Sequence, residues 1–331
     1  MTNFPFSASA EARFAADAAQ RAGLLTARLQ RALPPALTKD DRSPVTVADF
    51  AAQAVVAGLL ASSFPQASLV AEERADALRN NTHAALTTQV VEAVRTVFPN
   101  VTTEEVLAWI DRGGASPSHH FWVLDPIDGT KGFLRGSQFA IALALVENGE
   151  VNIGALACPN LPWPQGTGRG VLALATRGGG AWWASLADTT EWRPLQVSSE
   201  SRAEHLRLLR SYESAHTHAQ VLETLINTVG SRAAPIRMDS QAKYAVLASG
   251  GAEVYMRVPS PSQPDYKEKI WDQAAGALIV EEAGGRVTDL DGHPLDFSTG
   301  RRLENNRGIL ATNGKLHATI LNALRAIEAA Q

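Results

Sequence analysis

The stretch FWVLDPIDGTKGFLRGSQFAIALAL, residues 121–145, constrains this chain more than any other. An apolar run from Phe121 to Leu124 leads into two carboxylates, Asp125 and Asp128, three positions apart. Gly129-Thr130 and then a second apolar run follow. Short apolar runs bounded by turn signals predict buried strands. A hairpin needs only a turn between them, so two carboxylates at the strand end point to chemistry rather than to folding alone.

The surrounding pattern places that strand in a larger α/β scaffold. Phe14, Ala18, Ala22, Leu25, Leu29 and Ala32 share one face of a helix predicted over residues 8–32. A second helix is predicted over Val47–Ser63, and a short strand, Ser68–Ala71, runs into Glu72-Glu73. The polar residues 74–120, with helices predicted near 83–98 and 103–112, read as an insertion. Further strands are expected at 121–125, 138–146, 151–157 and 170–176, followed by GGGAWWAS, with a turn at Asn148-Gly149. Beyond Val197-Ser198, strands at 207–211 and 252–258 alternate with helices at 240–249 and 272–283, an α/β pattern. Two lobes are therefore expected, residues 1–195 and 196–331. A chain of 331 residues that is 45% hydrophobic has ample material for their cores.

Charge and cysteine usage narrow the function classes. A net charge of −4 gives no long-range attraction for nucleic acid or an anionic membrane. A bound anion must then be held by local groups or by cations. Cys158 is the single cysteine, so no internal disulfide forms, and in GALACPN it reads as a small buried apolar residue. The N-terminal residues lack the basic flank and apolar core of a signal peptide, and FAIALALV is too short to span a bilayer. A cytoplasmic protein without membrane or nucleic-acid partners is expected.

Five carboxylates stand out by context. Asp125 and Asp128 flank a Pro126-Ile127 turn, Glu72 follows a strand, Asp272 opens a helix, and Asp49 lies in the first turn of another. Clustered carboxylates stay ionised together only around a cation. Hard oxygen donors without nearby His or Cys suit Mg²⁺ or a similar ion, and the Ile127 carbonyl adds an oxygen. Each residue alone has a plainer reading: Thr46-x-x-Asp49 matches a capping box, Asp128-Gly129 a turn, and Asp272 a charge at a helix N-terminus. A D-x-D-x-T phosphatase motif with a nucleophilic Asp is the wrong register, because two residues separate these aspartates.

Taken together, Asp125-Pro126-Ile127-Asp128-Gly129-Thr130, the upstream Glu72-Glu73 and the downstream Trp271-Asp272-Gln273-Ala274-Ala275-Gly276 resemble the inositol monophosphatase-like superfamily. Ser43 to Asp49, Lys131 to Arg135, Asp239 to Tyr244 and Tyr266 to Asp272 resemble its 3′(2′),5′-bisphosphate nucleotidase branch, over residues 10 to 325. That resemblance implies a two-lobed α-β-α-β-α sandwich and a lithium-sensitive phosphomonoesterase using two or three Mg²⁺ ions. It implies metal binding by Glu72, Asp125, the Ile127 carbonyl, Asp128 and Asp272. It further implies a water oriented by Thr130, whose hydroxyl Asp49 polarises, with no covalent intermediate. Val70-Ala71-Glu72-Glu73-Arg74 departs from the family pattern, where Gly would precede the glutamates and Ser follow them; Arg74 is expected to pair with Glu73.

Substrate contacts are expected from Gly129 and Thr130, whose N–H groups open a helix, and from Asp272. The resemblance adds His216, Ser240, Lys243 and Arg257, with the basic pair at a second phosphate. Ser240 and Lys243 are expected on one helix face, capped by Asp239 and ended by Gly250-Gly251. The implied substrate is a nucleoside bisphosphate, 3′-phosphoadenosine 5′-phosphate or its phosphosulfate, acted on by a monomer. The alternatives are an inositol bisphosphate 1-phosphatase and a non-catalytic nucleotide sensor on the same fold.

Overall fold

The computed structural model describes residues 4–6, 9–33, 43–79, 84–212 and 219–329. Helix α1, Ala10–Arg31, starts where the Ser9 side chain accepts the Ala12 N–H at 3.0 Å. Helix α2 spans Ser43–Ser63, so it begins earlier than expected and Asp49 lies well inside it. The capping reading of Asp49 therefore fails. Strand β1, Ser68–Ala71, is followed by a 3₁₀ turn at Ala75–Arg79 and by helices α3, Ala84–Arg95, and α4, Thr103–Arg112. Thr102 and Glu105 close a full capping box on α4. These insertion helices pack on α2 through their own core of Val90, Val94, Val106 and Ile110 against Phe50 and Val55.

Strands β2, His120–Asp128; β3, Ala140–Glu147; β4, Glu150–Pro162; β5, Arg169–Thr176; β6, Gly180–Ser185; and β7, Arg193–Pro194, complete a seven-stranded sheet in sequential order β1 to β7. Only β1 and β2 run parallel; the remaining neighbours are antiparallel. The β3–β4 turn is the expected Asn148-Gly149 pair, both at positive φ (52° and 83°). A second, five-stranded sheet contains β8, Leu208–Arg210; β9, Ile236–Arg237; β10, Val254–Arg257; β11, Arg286–Thr288; and β12, Ile309–Thr312, in the order β11-β12-β10-β8-β9.

Period-two alternation sorts the layers. Trp122 and Leu124 of β2 face α1 and α2. Phe121 and Val123 face the opposite way, onto helices α7, Ala242–Ala248, and α8, Ala274–Glu282. The same central layer receives Leu209, Tyr255 and Ala311 from the second sheet. Leu208, Val254, Met256 and Leu310 turn outward onto helices α6, Ala219–Val229, and α9, His317–Ala329. The result is the α-β-α-β-α sandwich that the sequence led us to expect, with a core shared across both sheets. Strands β7, β9, β11 and β12 and helices α6 and α9 were not anticipated. Short strands and loop-flanked helices carry little periodic signal of their own. No helix among the described residues is long and apolar enough to cross a membrane.

Candidate active site

The opening stretch owes its geometry to an irregularity. Asp125 pairs with Ala142 and Asp128 with Ala140, so β2 advances three residues while β3 advances two. Such a β-bulge inserts one extra residue and restores the facing of the residue beyond it. Asp128 thus joins Asp125 on the face that carries Phe121 and Val123, and Pro126-Ile127 is a bulge inside the strand rather than a turn at its end. Proline is tolerated there because the extra residue needs no ladder bond. Gly129 follows at φ 87°, where a Cβ would lie 2.7 Å from the Ser240 Cβ. A short helix, α5 (Thr130–Leu134), then begins.

Other elements deliver the remaining acids. Ala71 of β1 lies opposite Leu124, so Glu72 emerges beside Asp125. The backbone of Glu73 is gripped at both ends by Gln53, which accepts its N–H at 3.0 Å and donates to its carbonyl at 2.9 Å. Gln53 is fully buried and also donates to the Ile110 carbonyl at 2.7 Å. A lone Gln in the apolar run FAAQAVVAGLL was the signal for this clamp, and sequence reasoning passed over it. Asp272 precedes α8 rather than opening it, with its N–H bonded to the Lys269 carbonyl.

Glu72, Asp125, Ile127, Asp128, Gly129, Thr130, Ser240, Lys243, Arg257 and Asp272 all line one cavity of about 310 Å³. Desolvation, then repulsion from Glu72, Asp128, Asp272 and Asp49, pushes the Asp125 carboxyl well above its usual range. Glu72 is open to the cleft, yet partial desolvation, Glu73 and Asp128 push it up to about 7. Asp272 is raised for the same reasons, and burial beside Glu73 and Glu72 raises Asp49. The decisive atom is Asp125 Oδ1, which is buried and has no hydrogen-bond partner. Leaving a buried charged acceptor unpaired is strongly destabilising, by several kcal/mol. Mutually repelling carboxylates around such an atom fit a hard divalent cation, and no His or Cys lines the cavity to favour a softer one.

A cationic wall borders the acids. Lys243 is 2% exposed; its ammonium lies 5.2 Å from the Tyr255 ring centroid and donates to the Met238 carbonyl at 3.2 Å. Burial lowers its pKa to about 8, with Asp128 opposing the shift. Arg257 follows Tyr255 on the inward face of β10, and its Nε donates to Glu268 at 2.9 Å. Glu268 also accepts from Gln273 at 2.9 Å, and Gln273 in turn receives the Tyr244 hydroxyl. Both cations reach Asp128, pulling down a carboxyl that burial otherwise raises.

Comparison with known proteins gives the family and the fold. The model of the inositol monophosphatase family matches residues 10–329. The chain belongs to that family. A 3′(2′),5′-bisphosphate nucleotidase of Schizosaccharomyces pombe is 39% identical over 342 residues, covering 96% of each chain. A 3′(2′),5′-bisphosphate nucleotidase of Oryza sativa is 40% identical, covering 93% of this chain and 92% of its own. The 3′,5′-bisphosphate nucleotidase 2 of Arabidopsis thaliana is 40% identical, covering 93% and 95%. Among solved structures, an IMPase of Thermotoga maritima superposes with a TM-score of 0.64 at 20% identity, covering 96% and 97%. Inositol monophosphatase II of Staphylococcus aureus gives 0.64 at 22%, covering 97% and 96%. At that identity the solved structures speak for the fold alone.

Within this family member, several expected details differ. The Thr130 hydroxyl makes its hydrogen bond to the Ile127 carbonyl, at 3.5 Å, and none to Asp49. Asp239 does not cap α7; it pairs with Arg135 at 2.6 Å. Ser240 lies before α7 at φ 67°, and its hydroxyl accepts the Ala242 N–H at 3.1 Å, so Ser240 and Lys243 do not share a helix face. Gly250, at φ 75°, does end α7. Arg74 donates to the Gly114 carbonyl at 3.3 Å instead of pairing with Glu73. His216 lies outside the described residues. Cys158 is buried, with its thiol pushed up by desolvation, and stays inert. The insertion contributes nothing to the cavity lining among the described residues. Tyr255, Tyr266, Asp239 and Gln241 do line it, all from stretches that carried the family resemblance or flanked Arg257.

Proposed function

We propose that this cleft removes the 3′-phosphate of a nucleoside 3′,5′-bisphosphate, such as 3′-phosphoadenosine 5′-phosphate, in a Mg²⁺-dependent hydrolysis, with the phosphosulfate as a second substrate. The relatives, named as bisphosphate nucleotidases, support the substrate class. One observation carries the chemistry: an unpartnered Asp125 oxygen among repelling carboxylates, in the same cavity as the buried cations Lys243 and Arg257. A bisphosphate requires both halves, one for the reacting phosphate and one for the phosphate that stays.

Glu72, Asp125, Asp128, Asp272 and the Ile127 carbonyl would hold the ions. Mg²⁺ held there would offset the charge of the phosphate dianion and make a nearby water more acidic. Thr130 would orient that water; its hydroxyl bonds the Ile127 carbonyl rather than Asp49, so the water is its second partner. Gly129 and Thr130 present backbone N–H groups to the reacting phosphate. Lys243, Arg257, Ser240 and His216 receive the rest of the nucleotide. Because Arg257 is held by Glu268, its orientation is fixed before substrate arrives.

Phosphate release from 3′-phosphoadenosine 5′-phosphate, inositol 1,4-bisphosphate and inositol 1-phosphate, with Mg²⁺ and with EDTA, tests the reading. Mg²⁺-dependent turnover of the nucleotide above the inositol phosphates is expected. Preference for an inositol phosphate would overturn the roles of Ser240, Lys243 and Arg257.

A further inference from the structure

We propose that Tyr212, backed by the Arg135 guanidinium, is the shelf on which the substrate's base stacks at the rim of the cleft; this rests on the nucleotide reading above. The cavity lining is rich in charge and in small polar groups, which suits phosphates and a sugar. A base is a flat disc whose faces are best received by an aromatic ring or a guanidinium plane. Three tyrosines lie in or beside the cleft.

Tyr255 has no free face to offer. It is 4% exposed, the Tyr244 ring meets it edge-on at 5.0 Å, and the Lys243 ammonium lies 5.2 Å from its centroid. Tyr266 lines the cavity among Glu268, Asp272 and Arg257, where the phosphate-binding charges are. Tyr212 differs from both. It is 52% exposed, one of two large apolar side chains so exposed among the described residues. It directly follows Ser211, which lines the cavity, at the end of β8.

The ring is also anchored. The Arg135 guanidinium lies over it, 5.6 Å from the centroid, and Arg135 is fixed by its 2.6 Å contact with Asp239. Asp239 is 5% exposed and immediately precedes Ser240, and the next residue, Gln241, donates its N–H to Asp128. The shelf is therefore tied to the segment that joins the acidic site to Ser240, and its position is set before substrate binds. A base lying on a tyrosine held in that way would cover ring surface that solvent now reaches.

Steady-state kinetics on 3′-phosphoadenosine 5′-phosphate and on a base-less ribose bisphosphate, with Tyr212→Ala and Tyr212→Phe, test the assignment. Tyr212→Ala should raise KM for the nucleotide by about tenfold with kcat nearly unchanged, and leave the base-less substrate unaffected. Tyr212→Phe should restore the KM, because stacking needs the ring and not the hydroxyl. An unchanged KM, an equal rise for both substrates, or a base-selective loss in Tyr266→Ala but not in Tyr212→Ala would overturn the shelf. Failure of the unaltered enzyme to turn over the nucleotide would overturn the nucleotide reading, and the shelf with it.

Discussion

Two acidic clusters in this chain behave oppositely in structure. In the cleft, Asp125 keeps a buried oxygen without a partner, and its neighbours are carboxylates that raise its pKa. Near β11, Asp289, Asp291 and His293 bring ligand atoms within 4.8 Å of one another, near enough to share a metal ion. Yet Asp289 accepts the N–H groups of Asp291 at 3.0 Å and His293 at 2.8 Å, and the Asn306 amide at 3.2 Å. Asp291 is taken by Arg307 at 2.8 and 3.1 Å. The second cluster has spent its oxygens on wiring a loop. Proximity of acids does not mark a cation site; unsatisfied acids do.

Exchanging one acid in each cluster should separate them most clearly. Asp125→Asn should lower Mg²⁺-dependent phosphate release by 10³-fold or more, roughly 4 kcal/mol of transition-state stabilisation. It should leave the metal-free protein as stable as before or more so, since a buried repelling charge is removed. Mg²⁺ should raise the melting temperature of the unaltered protein, by about 3 kcal/mol of stabilisation at a hundred times Kd, and should not do so for Asp125→Asn. Asp289→Asn should do the reverse. Activity persists, while stranded donors cost about 2–3 kcal/mol in denaturant unfolding. Loss of activity in Asp289→Asn, or full activity in Asp125→Asn, breaks the contrast.

The same contrast explains what could be read in advance. The layered sandwich, and the convergence of Glu72, Asp125, Asp128 and Asp272, were legible because strand alternation and strand-end carboxylates leave local marks. Three things left none. The bulge that turns Asp128 onto the Asp125 face depends on the pairing of β2 with β3, which no residue of β2 announces. The positive φ of Ser240 follows from its close approach to Gly129, over a hundred positions away. The Arg135–Asp239 pair joins residues whose separate readings, family motif and helix cap, both missed the link. Long-range register and pairing are properties of the packed chain, and a local pattern cannot encode them.

The wired region offers a pH test in which the cleft's own titrations cancel, because the two proteins compared share the same cleft. His317 is 1% exposed between Thr288 and Thr312, whose hydroxyls lie 3.0 Å from its two ring nitrogens. Desolvation, then Arg286, lowers its pKa from 6.5 to about 4. The unfolded chain therefore takes up a proton as pH falls through 6.5, while the folded protein resists until about 4. The stability from neutral His317 is complete above pH 6.5 and is lost progressively down to about pH 4, by about 3 kcal/mol in all. Urea unfolding of the unaltered protein and of His317→Gln at several pH values reads this directly. The variant should be less stable at pH 7 and should lose less on acidification; parallel curves would show that His317 is not the titrating group.

The smallest expected effect bears on the cleft's other half. Arg257 is held by Glu268, with a side chain only 17% exposed, so its charge is already balanced within the protein. Lys243 has no such carboxylate bound to its nitrogen, and its strongest offsetting charge is Asp128. Arg257→Ala should then weaken the bisphosphate by about 2 kcal/mol, some 30-fold in KM, and a nucleoside 3′-monophosphate by much less. Arg257→Lys should recover only part of the loss, because a lysine cannot both bond Glu268 through an Nε–H and point a second donor at phosphate. Equal losses for bisphosphate and monophosphate would mean that Arg257 serves only to position Glu268 and Gln273, and that the second phosphate answers to Lys243 alone.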